Sequence, residues 1–228
     1  MKFKLIFCLS LIGSSLLSAQ EKTVDVGSFS KVSLGINATL YLKQGNEEKV
    51  TIDCSQEDFA KITFEQSGDR LTIKRKEKWN WRSDGFRDVD IYITMKEIER
   101  VSLSGSGNIK GKSTLNTEDL DLTISGSGEM DLDVSSDEVE MRISGSGDIE
   151  LRGNAEEASA RISGSGKVKA EDLKVKTFEA SISGSGSCYV TALEEIEANI
   201  SGSGNVYYSG DPERVIANSS GSGKIKKM

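Results

Sequence analysis

The chain is 228 residues long, carries 36 Asp and Glu against 29 Lys and Arg, and has no histidine, for a formal charge of −7. Without histidine there can be no Ser-His-Asp or Cys-His nucleophile system, and the commonest metal ligand is missing. An acidic chain with no basic stripe also makes a poor partner for nucleic acid, and the length suits one β-rich domain or one elongated solenoid.

In chain order, Met1-Lys2-Phe3-Lys4 is a short basic start, and Leu5 to Leu17 is an apolar stretch too short to span a bilayer. Ser18-Ala19-Gln20 offers a small-residue cleavage site after Ala19. Residues 1–19 therefore read as a signal peptide, and the mature chain as exported to the periplasm, the outer surface or the medium. Cys8 lies inside the apolar core and not at its end, which argues against a lipoprotein anchor.

Residues 20–100 form an N-terminal β region. Val50-Thr51-Ile52-Asp53-Cys54, Lys61 to Glu65, Leu71 to Lys74 and Val89 to Ile93 all alternate, and Ser67-Gly68-Asp69 reads as a hairpin turn. Val32-Ser33-Leu34-Gly35-Ile36-Asn37-Ala38-Thr39-Leu40 can be laid on Val101-Ser102-Leu103-Ser104-Gly105-Ser106-Gly107-Asn108-Ile109 without a gap. The first of these segments reads as a degenerate first coil, with Ile36 and Ala38 where the glycines would be; atypical repeats often cap solenoids.

One segment breaks the pattern. Arg75 to Arg87 holds both tryptophans of the chain and a local positive excess. Trp79 and Trp81 share strand parity, and tryptophan and arginine are enriched at binding hot spots. The candidate binding residues are Trp79, Trp81, Arg82, Arg75 and Lys78. The alternative is that both rings cover an open end of the fold or a subunit interface.

From residue 101 to 228 the chain repeats. Ser-Gly-Ser-Gly begins at Ser104, Ser125, Ser144, Ser163, Ser183, Ser201 and Ser220, at intervals of 21, 19, 19, 20, 18 and 19 residues. A fixed period of this size marks stacked coils. Around each motif the alternation is close to strict: Val139, Met141, Ile143, Gly145, Gly147, Ile149 and Leu151 fall on one face and the serines and charges on the other. The expected fold is all-β, a single-stranded parallel β-helix, right-handed by the twist argument that governs parallel crossovers. It is continuous with the less regular strand-rich N-terminal portion as one domain. The paired glycines either let the walls approach closely or take positive φ at a corner.

In-register stacking would set Lys110 beside Asp131, Glu150 beside Lys169, and Tyr189 beside Tyr207, mildly favourable pairs on a sheet surface. Cys188 takes the slot that other coils fill with Ile, Met or Val, and Cys54 follows Val50 and Ile52 on one side of a strand. Export would permit a disulfide, but this pattern argues for buried thiols. The last coil has Asn218-Ser219-Ser220 where the others have Ile before the first serine, and it ends in Lys224-Ile225-Lys226-Lys227-Met228. Such an edge discourages end-to-end growth.

The repeat serines have no activating base, and the motifs open no helix that could cradle a phosphate. A periodic calcium site would need an acid in every turn, whereas that slot reads Asn108, Glu129, Asp148, Lys167, Ser187, Asn205 and Lys224. No cofactor and no metal are expected.

Gly35-Ile36-Asn37, the Gln44-Gly45 turn that follows, the exported start and the seven Ser-Gly-Ser-Gly coils together resemble the putative auto-transporter adhesin head GIN domain family, over essentially the whole mature chain. The resemblance implies a β-helical, surface-associated bacterial protein and allows a homo-oligomer such as a trimer. The reading is a non-catalytic exported β-helix that binds a cell-surface glycan or protein. The alternatives are a carbohydrate-active enzyme outside the cytoplasm and a purely structural envelope protein.

Overall fold

Alternation sustained over sixteen or more residues outlasts any flat strand, so the chain must turn while remaining extended. The computed structural model, which describes residues 21–76, 85–86 and 88–228, shows how. The N-terminal half contains β1 (Lys22–Val24), β2 (Lys31–Gly35), β3 (Thr39–Gln44), β4 (Lys49–Asp53), α1 (Gln56–Lys61), β5 (Ile62–Ser67), β6 (Arg70–Arg75) and β7 (Asp90–Met95). The coils follow as β8 (Arg100–Gly105), β9 (Asn108–Gly111), β10 (Leu115–Gly126), β11 (Glu129–Gly145), β12 (Asp148–Gly164), β13 (Lys167–Gly184) and β14 (Ser187–Gly202). Three short strands end the chain: β15 (Asn205–Ser209), β16 (Arg214–Gly221) and β17 (Lys224–Lys227). The result is a parallel β-solenoid of about seven turns.

Each long strand starts just after one Ser-Gly-Ser-Gly corner and ends inside the next. In β11, Met130, Leu132 and Val134 point inward on one wall and Val139, Met141 and Ile143 on the other, all buried. Between the walls the alternation slips by one residue, and Asp137 and Glu138 are both exposed. This is a second corner. The inward Ser136 is satisfied there, its Oγ lying 2.8 Å from the carbonyl oxygens of both Glu118 and Glu138. A buried hydroxyl without such partners would be costly.

β11 and β12 pair at a constant offset from Glu129↔Asp148 to Gly145↔Gly164. Where repeat length changes, the register shifts between Glu150 and Arg152 and again between Ala170 and Lys174. These irregularities absorb the difference before the next motif, so serine stacks on serine throughout.

The two glycines of each motif have different tasks. Gly145 has φ 123°, in the region open to glycine, and a Cβ there would overlap the carbonyl of Gly126 below it. Gly147 has no positive φ, but its Cβ would fall 2.6 Å from Ile124 Cγ2 and 2.7 Å from Gly128 O. Both sequence alternatives therefore hold, one at each glycine. The tight approach keeps the ladder intact through the corner, with Ser146 N donating to Gly126 O at 2.9 Å and Asp148 N to Gly128 O at 3.1 Å.

The gapless alignment of the two N-terminal segments is a physical register. Val32 pairs with Val101, Leu34 with Leu103 and Leu40 with Ile109. In space, however, this coil is not terminal, because β6 and β7 stack on its far side, pairing Val32 with Leu71 and Leu40 with Ile91. Beyond them the solenoid is closed by antiparallel strands: β5 on β6 through the two-residue Gly68–Asp69 loop, β4 on β7, and β1 on β4. α1 completes this end, with Ser55 Oγ accepting from Asp58 N as its N-cap.

At the other end the last rung places Val215, Ala217 and Ser219 over Ile196, Ala198 and Ile200. These three are exposed where their predecessors are buried. Cys54 and Cys188 are both free and buried.

Candidate binding surface

A solenoid turns sequence positions into columns, so a site here is read along columns. At the Ser-Gly-Ser-Gly corner all fourteen serines are exposed in two parallel files. From Ser127 onward the N–H of each motif's second serine donates to a glycine carbonyl of the neighbouring coil, while the hydroxyls face solvent.

On the outermost rung this corner is replaced. β6 ends at Arg75 and β7 begins at Asp90, so residues 76–89 span what two residues span in the regular coils. At the base, the Arg75 guanidinium sits 4.6 Å from the Phe86 ring centroid, and Phe86 packs on the core. Lys76 Nζ donates to Ala60 O at 2.8 Å, tying the base to α1. Of the five sequence-predicted binding residues, Arg75 is placed here. Lys78, Trp79, Trp81 and Arg82 lie outside the described residues.

A second feature was missed by the sequence reading. The column expected as Lys110, Asp131, Glu150, Lys169, Tyr189, Tyr207 and Lys226 is continuous in the pairing, and it extends through Lys110↔Tyr41 to Tyr41↔Tyr92. Extending the alignment of Leu40 on Ile109 by one residue would have found Tyr41. Tyr189 and Tyr207 stack with centroids 4.9 Å apart, as do Tyr41 and Tyr92. Lys169 lies 3.3 Å from Asp148 and 4.0 Å from Glu150. Asp131 is held by Arg152, which also reaches Asp133 and Glu150.

Tyr92 ends the aromatic run. Across the antiparallel β4 it faces Thr51, whose short side chain leaves a cleft of about 440 Å³ lined by Glu21, Lys49, Thr51, Asp53, Tyr92 and Thr94. Burial raises the pKa of the neighbouring Asp90 carboxyl, and the charges of Asp53 and Asp88 raise it further.

The opposite wall is acidic. Asp119, Glu138 and Glu157 stack in one file, and Asp121 and Glu140 in the next. Arg142 and Arg100 bridge to Asp121 at 2.8 and 3.0 Å, and Arg161 pairs with Glu140. Among the described residues no group of three or more Cys, Asp and Glu side chains is placed to hold a metal. No helix of the described residues is long and apolar enough to cross a membrane.

The family model described as putative auto-transporter adhesin, head GIN domain, matches residues 28–212. The chain belongs to this family. Among solved structures, this GIN-domain protein is similar to a putative adhesin from Bacteroides fragilis at 25% identity, with 92% of this chain and 96% of that chain covered and a TM-score of 0.85. A putative adhesin from Parabacteroides merdae follows at 23% identity over 92% and 95% of the two chains, with a TM-score of 0.74. A putative lipid binding protein from Parabacteroides distasonis shares the fold at 21% identity over 92% and 96%, with a TM-score of 0.70. No curated protein matches the GIN-domain chain.

Proposed function

We propose that this GIN-domain protein is an exported, non-catalytic adhesion module that holds a cell-surface glycan or protein by side chains displayed on a rigid solenoid. The observation that carries the reading is the replaced corner. Where the later coils make this corner with Ser-Gly-Ser-Gly, the connection from β6 to β7 takes in residues 76–89, which include both tryptophans of the chain together with Arg82 and Arg87. Trp79, Trp81, Arg82, Arg75 and Lys78 are assigned to the contact. Membership of a family described as adhesins supports the same role and an exported location, in the periplasm or beyond. The resemblance further supports a homo-oligomer, a trimer being the form to test by light scattering.

The test is a glycan and matrix-protein array probed with the purified chain and with a Trp79→Ala/Trp81→Ala variant. Specific binding by the parent that disappears in a still-folded variant supports the reading. A blank array for both would transfer the protein to the structural class. Release of new reducing ends from polysaccharide would make it an enzyme.

A further inference from the structure

The cleft beside Tyr92 has three properties that together select a ligand. The first is a flat aromatic wall. One face of Tyr92 is taken by Tyr41, itself covered by Lys112 at 4.3 Å from its centroid. Tyr92 lines the cleft and Tyr41 does not, so the second face of Tyr92 is the one turned to the cavity. Among the described aromatic rings it alone is exposed, at 42%.

The second property is the arrangement of polar groups. Strand alternation sends Lys49, Thr51 and Asp53 to the same side of β4, while Val50 and Ile52 are fully buried beneath them. Thr94 and Glu21 complete the rim. The ring is thus bordered by an ammonium donor, two carboxylate acceptors and the Thr94 hydroxyl, which can do either, while Thr51 is buried at the floor. The third property is charge. Asp53 and Glu21 outnumber Lys49, and Asp88 and Asp90 stand close by against the cation Lys110. An anionic ligand would be repelled.

A ligand with a flat apolar face, a hydroxylated edge and no negative charge meets all three conditions. We propose that the Tyr92 cleft is a saccharide subsite that stacks an uncharged or amino-sugar pyranose ring on Tyr92 and reads its hydroxyls with Asp53, Glu21, Lys49 and Thr94. The volume lies in the range of small-molecule sites, about 300–1,000 Å³. The subsite rests on the adhesion reading and deepens it by naming a ligand class and a set of contact residues that does not include the tryptophans.

Isothermal titration of the full chain tests it, with cellobiose, N,N′-diacetylchitobiose and chitosan disaccharide as probes and digalacturonate as the charged control. At least one of the first three binds and digalacturonate does not. Tyr92→Ala lowers that affinity about tenfold or more, as expected for an aromatic anchor, whereas Tyr92→Phe retains it and Trp79→Ala/Trp81→Ala leaves it unchanged. Asp53→Asn, a rim change that keeps side-chain volume, weakens it several-fold and covers the case in which Tyr92→Ala disturbs the fold. Undiminished affinity in both Tyr92→Ala and Asp53→Asn, or equal binding of digalacturonate, overturns the subsite. Sugar binding that is lost only in the tryptophan variant moves the site to the loop and also overturns it. If no disaccharide binds while a matrix protein is still retained on the array, the subsite falls and adhesion stands. If the array is blank as well, both fall.

Discussion

At the residue scale the corner glycines carry the most structural constraint per atom. Gly145→Ala must accept a positive φ and an overlap with the Gly126 carbonyl, and Gly147→Ala must push against Ile124 and Gly128. Each is expected to lower stability by about 2–4 kcal/mol, in the range of strained or overpacked sites. Ser144→Ala, at the exposed hydroxyl just before them, should stay within about 0.5 kcal/mol. Urea denaturation of the three variants measures the contrast. Cys188 offers a second test, since burial pushes its thiol up to about 12. An unfolded thiol ionises near its ordinary value, about 8.5. Between those two values the unfolded chain sheds a proton that the folded chain retains, so this group makes stability fall as pH rises. Cys188→Val fits a column whose neighbours are Val168 and Val206 and should remove that part of the slope.

At the element scale, register governs tolerance. An extra residue between Glu171 and Asp172 falls where β12 and β13 already shift, and the coil can absorb it as a larger bulge. The same insertion between Met141 and Arg142 sends Ile143 outward and Arg142 into the core. The first variant should give a cooperative melt near that of the parent, and the second should yield insoluble or unfolded protein. Much of this organisation is legible in the sequence because it is local. Period-two alternation and a tetrapeptide at fixed spacing report inward faces and one corner directly. The second corner was not legible, since it has no shared motif: Ser136-Asp137-Glu138 in one coil stands where the next has Ala155-Glu156-Glu157. The Tyr92 cleft depends on β4 lying antiparallel to β7, a pairing between distant segments that no local pattern encodes. The tryptophan loop, by contrast, is visible in sequence through composition alone.

At the scale of the molecule the two ends are unlike. One is closed by antiparallel strands and α1, while the other presents β16 and β17, each with one neighbour among the described strands. Val215 is 40% exposed there, on a final rung that also carries Arg214, Lys224, Lys226 and Lys227. Removing residues 214–228 would uncover Ile196, Ala198, Ile200 and Val206 without those charges. The truncated chain should melt lower and associate end to end, visible as a concentration-dependent rise in mass by light scattering. The interleaving of the first coil has another consequence, one of timing. β2 and β3 come early in the chain, yet both strands that flank each of them, β6 and β8 or β7 and β9, come later. A chain emerging from its N-terminus cannot flank the Gly-Ile-Asn coil on both sides until residue 111 or so has followed it, whereas every later coil finds its predecessor already waiting. Pulse-labelled hydrogen exchange should therefore find β2 and β3 protected no sooner than β8 and β9, so the segment that leads in synthesis is among the last to set.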